Sequence, residues 1–154
     1  SFDLNTRVSD PQRLNPEIRD TVLEILEYCD YMLGSGKDEF YSFCPKPDWR
    51  DSARHFVTDK RTVIARMGKD GALGLSVNET VEEKPFDVPV VDTVGAGDVF
   101  NAGFIAARLA GKSLRDSIIC GNGVSSFKVN GPSGRHTPTA EQLDSFLRGF
   151  HVSL

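Results

Sequence analysis

Residues 92–104 read Asp92-Thr93-Val94-Gly95-Ala96-Gly97-Asp98-Val99-Phe100-Asn101-Ala102-Gly103-Phe104. An apolar run, Val88-Pro89-Val90-Val91, precedes this stretch, and a helical pattern follows it. Together they predict a strand, a tight glycine turn and a helix that begins at Asp98. The apolar face of that helix is predicted to comprise Val99, Ala102, Ala106 and Leu109.

The glycine turn has the composition of an anion-binding site. Gly95 and Gly97 can adopt backbone angles closed to other residues, and with the first free amides of the helix they can hold an anion. The helix dipole favours the ionised form of Asp98 beside them. Such a site suits phosphoryl transfer, because the amides stabilise negative charge while the carboxylate accepts the proton of an attacking hydroxyl. In the simpler interpretation, Asp98 only caps the helix and the glycines only turn the chain.

Composition narrows the class of protein. The chain has 154 residues with a net charge of −4, and we predict a single domain over residues 1–154. The charges are interspersed, without a basic stripe that would favour nucleic acid, and no apolar run is long enough to cross a membrane. Cys29, Cys44 and Cys120 have no metal-ligand spacing and favour a reducing, cytoplasmic location.

Predicted strands and helices alternate along the chain. Strands are predicted at residues 2–5, 31–33, 62–67 and 72–77, with an edge strand or loop at 78–89. Turns or loops are predicted at residues 34–39, 68–71 and 131–134. This alternation predicts an α/β fold with a mainly parallel sheet. Because ligands bind beyond the carboxyl ends of strands in such sheets, residues 34–39 and 92–98 are expected to face one cleft.

Helix starts are marked by capping residues. Asn15-Pro16 opens a helix with a predicted apolar face of Ile18, Val22, Ile25, Leu26 and Cys29. Asp48 can cap a short helix, and the pairs Ser113/Asp116 and Thr139/Gln142 resemble capping boxes. The helix after Ser113 contains a run of small residues, Cys120-Gly121-Asn122-Gly123-Val124-Ser125-Ser126. Close helix packing and a flat ligand lying against this helix both remain open as explanations.

Residues 92–103 resemble the second signature of the PfkB (ribokinase-like) carbohydrate kinases, Asp-Thr-x-Gly-Ala-Gly-Asp-x-Phe-x-x-Gly, at every specified position. The resemblance implies a ribokinase-like three-layer α/β/α fold and ATP-dependent phosphorylation of a sugar or sugar-acid hydroxyl. It implies that Asp98 is the catalytic base in contact with the substrate, and that Gly95, Ala96 and Gly97 form the anion hole. It further assigns nucleotide binding to Thr93, Gly68 and Asn122, the last in the adenine pocket.

The resemblance extends to residues near the start of the chain. Phe2-Asp3-Leu4-Asn5-Thr6-Arg7 looks like a strand of the sugar-acid and fructose kinases, which implies that Arg7 meets a substrate carboxylate. Glu39 occupies the last position of an Asn-x-x-Glu motif that organises Mg²⁺ in the family, although Gly36 stands at the Asn position. Asp92 falls where some members hold K⁺, and dependence on K⁺ stays open.

Family members are about twice as long as this chain, which resembles their C-terminal half. We therefore expect the isolated chain to be inactive and to self-associate or be marginally stable, with a homodimer as one assembly. The alternative function is a non-catalytic ATP-binding fragment or remnant of such a kinase. The substrate is not specified beyond a hint of a sugar acid or fructose.

Overall fold

The computed structural model describes residues 1–132 and 136–154. The chain divides into two compact units. The strand unit comprises Ser1–Met67 and Ala72–Glu82, and the helical unit comprises Gly68–Gly71 and Glu83–Leu154. The α-helices and β-strands run in the order β1 (Phe2–Asp3), α1 (Pro16–Leu26), β2 (Tyr31–Ser35), α2 (Gly36–Phe43), α3 (Trp49–Arg54), β3 (Thr62–Arg66), β4 (Ala72–Leu75), β5 (Thr80–Glu83), α4 (Ala96–Leu109), α5 (Leu114–Val129) and α6 (Ala140–Gly149).

The strands form one sheet in the order β1-β2-β3-β4-β5. Strands β1, β2 and β3 are parallel, whereas β3 and β4 form an antiparallel hairpin in which Arg66 pairs with Ala72. The predicted α/β class is therefore confirmed, with a mixed sheet. The predicted hairpin is also confirmed, and β5 follows at the edge where an edge strand or loop was expected.

The strand unit has one hydrophobic core. The central strands supply Met32, Val63 and Ala65, all fully buried, and α2 adds the rings of Phe40 and Phe43. Burial of such side chains is the main favourable term in folding, at about 1.5–3 kcal/mol each.

Helix α1 begins at Pro16 after an Asn15 cap, as predicted. Only part of its predicted apolar face is buried, however. Val22 and Leu26 reach the core, whereas Ile18 is 50% exposed and Ile25 is 37% exposed. The face contacting the core is thus narrower than the apolar stripe in the sequence.

The turn predicted at residues 34–39 is wrong. Gly34 and Ser35 complete strand β2, and Gly36 starts helix α2 without an intervening loop. Gly34 is packed so tightly that a Cβ there would lie 3.1 Å from both Leu4 and Phe40. The glycines at this point therefore serve close packing of the strand rather than a change of chain direction.

The strand predicted at residues 88–91 is also wrong. The segment before the glycine turn is irregular, and Val90 and Val91 are 64% and 61% exposed. Pro85 and Pro89 carry no amide hydrogen for a sheet. The segment is held instead by the amides of Val91 and Asp92, which both donate to the carbonyl of Val129, at 2.7 and 3.2 Å.

Helix α4 buries a different face from the one predicted. The buried residues are Phe100, Gly103, Phe104 and Ala107, at helical spacing. Leu109 is 85% exposed, and Ala102 and Ala106 are exposed as well. The helix is apolar on several sides, so hydrophobicity alone did not identify the side that packs.

The helix caps are mostly as predicted. Asp48 accepts a hydrogen bond from the Arg50 amide at the start of α3. The capping box of Thr139 and Gln142 is complete, whereas at Ser113 the hydroxyl binds both the amide and the carboxylate of Asp116. The loop predicted at residues 131–134 lies partly outside the described residues, at Ser133 and Gly134. In the described part of the chain, no helix has the length and apolarity needed to span a membrane.

Candidate active site

The glycine turn leads directly into α4. Gly95 is the N-cap in the left-handed conformation, with φ 77°, and a Cβ at this position would meet nothing within 4 Å. The helix begins at Ala96 rather than at the predicted Asp98, so Asp98 is the third residue of the first turn. Its side chain is exposed. The half-buried turn therefore has open space at the Cβ position of Gly95, and the exposed carboxylate of Asp98 follows three residues later.

Short-range hydrogen bonds fix the shape of this turn. The Val94 amide donates to the Asp92 carboxylate at 2.9 Å, and the Ala96 amide donates to the Thr93 carbonyl at 3.1 Å. Thr93 itself is exposed. The Ala96 amide is thus engaged within the turn, and its role in an anion hole stays a prediction.

A buried lysine lies against the first residue of the turn. Lys128, in the last turn of α5, has no exposed side-chain surface, and its Nζ donates to the Asp92 carbonyl at 2.8 Å and to the Asp92 carboxylate at 3.0 Å. The hydrogen bond from Val94, followed by that from Lys128, holds the pKa of Asp92 below its ordinary value of 3.8. Sequence reasoning missed Lys128, because its partner lies 36 positions earlier and its apolar neighbours Phe127 and Val129 face other sides of the helix.

Two further predicted residues, Asn122 and Gly68, belong to the helical unit. The Asn122 side-chain amide, which is buried, donates to the carbonyls of Glu83 and Lys84 at 3.0 and 3.1 Å. Gly71, with φ 93°, lies against the same peptide, because a Cβ there would be 2.0 Å from the Glu83 carbonyl oxygen. Residues 83–84 are thus held by Asn122 and lie against Gly71, and a Cβ at Gly68 in the same turn would meet nothing within 4 Å.

The small residues of α5 allow it to pack closely against its neighbours. A Cβ at Gly121 would lie 2.8 Å from the Phe100 ring, and one at Gly123 would lie 2.9 Å from Leu147. From the other side, a Cβ at Gly103 would lie 2.8 Å from Val124. These distances support the packing explanation for the small-residue run.

In the strand unit, Glu39 holds the loop after β1. Its side chain is buried and accepts hydrogen bonds from the Ser35 amide at 2.6 Å, the Arg7 amide at 3.1 Å and the Thr6 hydroxyl at 3.3 Å. Arg7 has a left-handed backbone, with φ 54°, and an exposed side chain. Glu39 therefore fixes the position from which Arg7 extends.

These residues line a cleft of about 350 Å³ within the strand unit, formed by Asn5, Arg7, Ser9, Ser35, Asp38, Glu39 and Arg66. Arg66 was missed by sequence reasoning, although an arginine at a strand's carboxyl end is a recognisable signal. The structure thus brings Arg7 together with Glu39. The other predicted site residues, Gly68, Asp92, Thr93, Gly95–Asp98 and Asn122, belong to the helical unit.

No group of three or more His, Cys, Asp or Glu side chains within the described ranges could hold a metal ion. The three cysteines are all free.

Curated relatives of the chain are sugar and sugar-phosphate kinases. It is 42% identical over 81 residues to the 1-phosphofructokinase of Haloferax volcanii, an alignment that covers 53% of this chain and 26% of that protein. It is 39% identical over 87 residues to the 2-dehydro-3-deoxygluconokinase of Bacillus subtilis, covering 55% of this chain and 27% of that protein.

Solved structures match nearly the whole chain. An Escherichia coli protein described as a ribokinase II, in complex with ATP and Mg²⁺, superposes with a TM-score of 0.84 at 28% identity, covering 97% of this chain and 48% of that one. The aminoimidazole riboside kinase of Salmonella enterica, complexed with aminoimidazole riboside and an ATP analogue, gives 0.77 at 25% identity, covering 95% and 51%. The fold is therefore ribokinase-like, and the chain spans about half the length of these structures.

The family model described as "pfkB family carbohydrate kinase" matches residues 2–140 of the chain. The matched range includes the glycine turn, Lys128 and both groups of predicted site residues. The chain therefore belongs to the PfkB family of carbohydrate kinases.

Proposed function

We propose that this chain forms the nucleotide-binding and catalytic part of an ATP-dependent kinase that phosphorylates a hydroxyl of a sugar or sugar acid. The observation that carries the proposal is the exposed Asp98 carboxylate in the first turn of α4, which follows the left-handed Gly95 and the open space at its Cβ position. Family membership and the kinase relatives support the reaction class.

In the proposed reaction, Asp98 accepts the proton of the substrate hydroxyl as its oxygen forms a bond to the γ-phosphorus of ATP. The bond from that phosphorus to the β–γ bridging oxygen breaks, and ADP leaves. Gly95, Ala96 and Gly97 stabilise the negative charge through their amides and the positive end of the α4 dipole. For the Ala96 amide, this requires exchange of its bond to Thr93 for one to phosphate.

The nucleotide is proposed to bind along the helical unit. Thr93 is exposed at the turn and is assigned to a phosphate contact. Gly68 leaves open space for a ligand above its turn. Asn122 contributes by holding residues 83–84 in place, because both hydrogens of its amide are used on their carbonyls.

The substrate is proposed to contact Arg7 in the strand-unit cleft. Arg7 extends from a loop fixed by Glu39, and a guanidinium can bind a carboxylate through two hydrogen bonds. This arrangement favours a sugar acid, in line with the 2-dehydro-3-deoxygluconokinase relative.

Mg²⁺ would be shared with the nucleotide phosphates, which neutralises charge during transfer. A carboxylate has about four acceptor positions, and Glu39 already uses three of them on Ser35, Thr6 and Arg7. About one acceptor position is therefore left on Glu39, and the proposed contact with the metal, direct or through water, would use it.

Calorimetry with Mg²⁺–ATP on the 154-residue chain tests nucleotide binding. The chain should bind ATP, and the Asp98→Asn variant should bind it with similar affinity, because the turn backbone is unchanged.

A second experiment measures turnover with fructose, ribose and 2-keto-3-deoxygluconate as substrates. The protein used is the longest product of the reading frame that encodes this chain. There Asp98→Asn should reduce kcat by about 10² or more, whereas Asp87→Asn, on an exposed side chain, should not.

The alternative function is a non-catalytic ATP-binding remnant. It is favoured by one observation, the engagement of both Glu39 oxygens by the chain's own donors. ATP binding without turnover of any sugar in the longer product would support this alternative. Near-normal turnover by Asp98→Asn would remove Asp98 from the mechanism.

A further inference from the structure

We propose that the Lys128 ammonium takes the place of a monovalent cation at Asp92, so that this chain needs no K⁺ to hold its glycine turn. The residues present do not fit a K⁺ ion at this position. The Asp92 carbonyl and carboxylate oxygens, which such an ion would use, are bound by Lys128 Nζ at 2.8 and 3.0 Å. Carbonyl oxygens are characteristic ligands of K⁺ in proteins, and a charged amine can satisfy them equally.

Burial makes this contact hard to displace. The Lys128 side chain has no exposed surface, and an ammonium removed from water must be paired to be tolerated. Its position in the last turn of α5 adds a favourable interaction with the helix dipole. An incoming K⁺ would have to leave this buried charge without its partner.

The backbone around the contact is fixed as well. The amides of Val91 and Asp92 donate to the carbonyl of Val129, the neighbour of Lys128. On the other side, the Asp92 carboxylate accepts from the Val94 amide inside the turn. Lys128 therefore completes a closed set of hydrogen bonds that joins the end of α5 to the start of the glycine turn.

Thermal melting of the 154-residue chain tests the inference. The chain is melted in KCl, in n-propylammonium chloride and in tetramethylammonium chloride at equal ionic strength. For the unmodified chain, the three values of Tm should agree within about 1 °C. The Lys128→Ala variant should melt lower, and KCl or n-propylammonium should raise its Tm by about 3 °C over tetramethylammonium, because a cation can enter the vacated space.

Lys112→Ala is the matched control, since it removes an exposed lysine from the same unit. It should show no difference between the salts. Two results would overturn the inference: a K⁺-specific rise in Tm for the unmodified chain, or a Lys128→Ala variant that responds to the cations no more than Lys112→Ala does.

A second measurement covers the case in which Lys128→Ala does not fold. The ¹⁵Nζ resonance of Lys128 is assigned as the signal of the unmodified chain that is missing from the spectrum of Lys128→Arg. Its chemical shift is then followed during addition of KCl. It should stay unchanged, and its displacement by K⁺ but not by tetramethylammonium would contradict the inference.

The meaning of this contact for catalysis rests on the proposed function, under which ATP binding should be the same in KCl and in tetramethylammonium chloride. If the chain binds ATP in neither salt, the proposed function fails while the melting data still decide the role of Lys128.

Discussion

The Arg66 guanidinium binds the Asp3 carboxylate through two hydrogen bonds, at 2.9 and 2.7 Å, across the intervening strand β2. Both side chains are largely shielded, with exposures of 15% and 21%. The pair therefore ties β1, which is only two residues long, to the hairpin strand β3 at the edge of the strand-unit cleft.

Replacing Arg66 with lysine should destabilise the chain by about 1–2 kcal/mol, because an ammonium cannot make the paired contact of a guanidinium. Urea unfolding measures the change. The control is Arg148→Lys, whose partner Asp144 is exposed and one helical turn away, and its effect should stay below about 0.5 kcal/mol. Equal losses in the two variants would contradict a special role for the Asp3 pair.

Glu39→Gln should cost about 1–3 kcal/mol of unfolding free energy. The substitution places an amide NH₂ where a carboxylate oxygen accepts hydrogen bonds, so at least one of the Ser35 and Arg7 amides loses its partner. The measurement is again urea unfolding, with Asp38→Asn as the control on an exposed carboxylate in the same helical turn. A loss no larger than that of the control would show that these hydrogen bonds do not stabilise the loop.

Gly121→Ala should destabilise the helical unit by about 1–3 kcal/mol, despite the higher helix propensity of alanine, because its Cβ would overlap the Phe100 ring. Gly149→Ala, with open space around it, should be neutral or slightly stabilising. Thermal or urea melts compare the two. The double variant Gly121→Ala/Phe100→Leu should lose less than the sum of the single changes, and strict additivity would argue against direct contact.

The contribution of Asp92 to stability should disappear in acid. Its pKa is lowered in the folded chain, so ionised Asp92 stabilises the fold above its ordinary value of 3.8, and this stability is lost as pH falls through the folded pKa. The difference in unfolding free energy between the chain and Asp92→Asn should therefore be largest near about pH 7 and shrink between about pH 4 and about pH 2. Denaturant melts across this range measure it, and a difference that grows on acidification would contradict the pairing with Lys128.

Features with a local cause could be predicted from the sequence. The caps at Asn15, Asp48 and Thr139 depend on neighbouring residues, and the structure has helices starting at each of them. The hairpin at residues 62–75 follows in the same way from two apolar runs around a glycine turn.

Features that depend on distant residues could not be predicted. The buried face of α4 is decided by which residue allows the closest approach, and Gly103 does so without being hydrophobic. Lys128 pairs with a residue 36 positions earlier, and the sequence alone does not bring the two together. In the candidate site, the glycine turn and Asp98 were therefore identified from the motif, whereas the contact of Lys128 with Asp92 needed coordinates.

The absence of a side chain at Gly121 has a consequence for protein engineering. It admits the Phe100 ring, so the distance between α4 and α5 near the glycine turn depends on a residue of the neighbouring helix. A mutant library confined to residues 92–98 would leave that determinant untouched. Grafting the turn onto a foreign scaffold would accordingly require the glycine and its aromatic counterpart to be transferred with it.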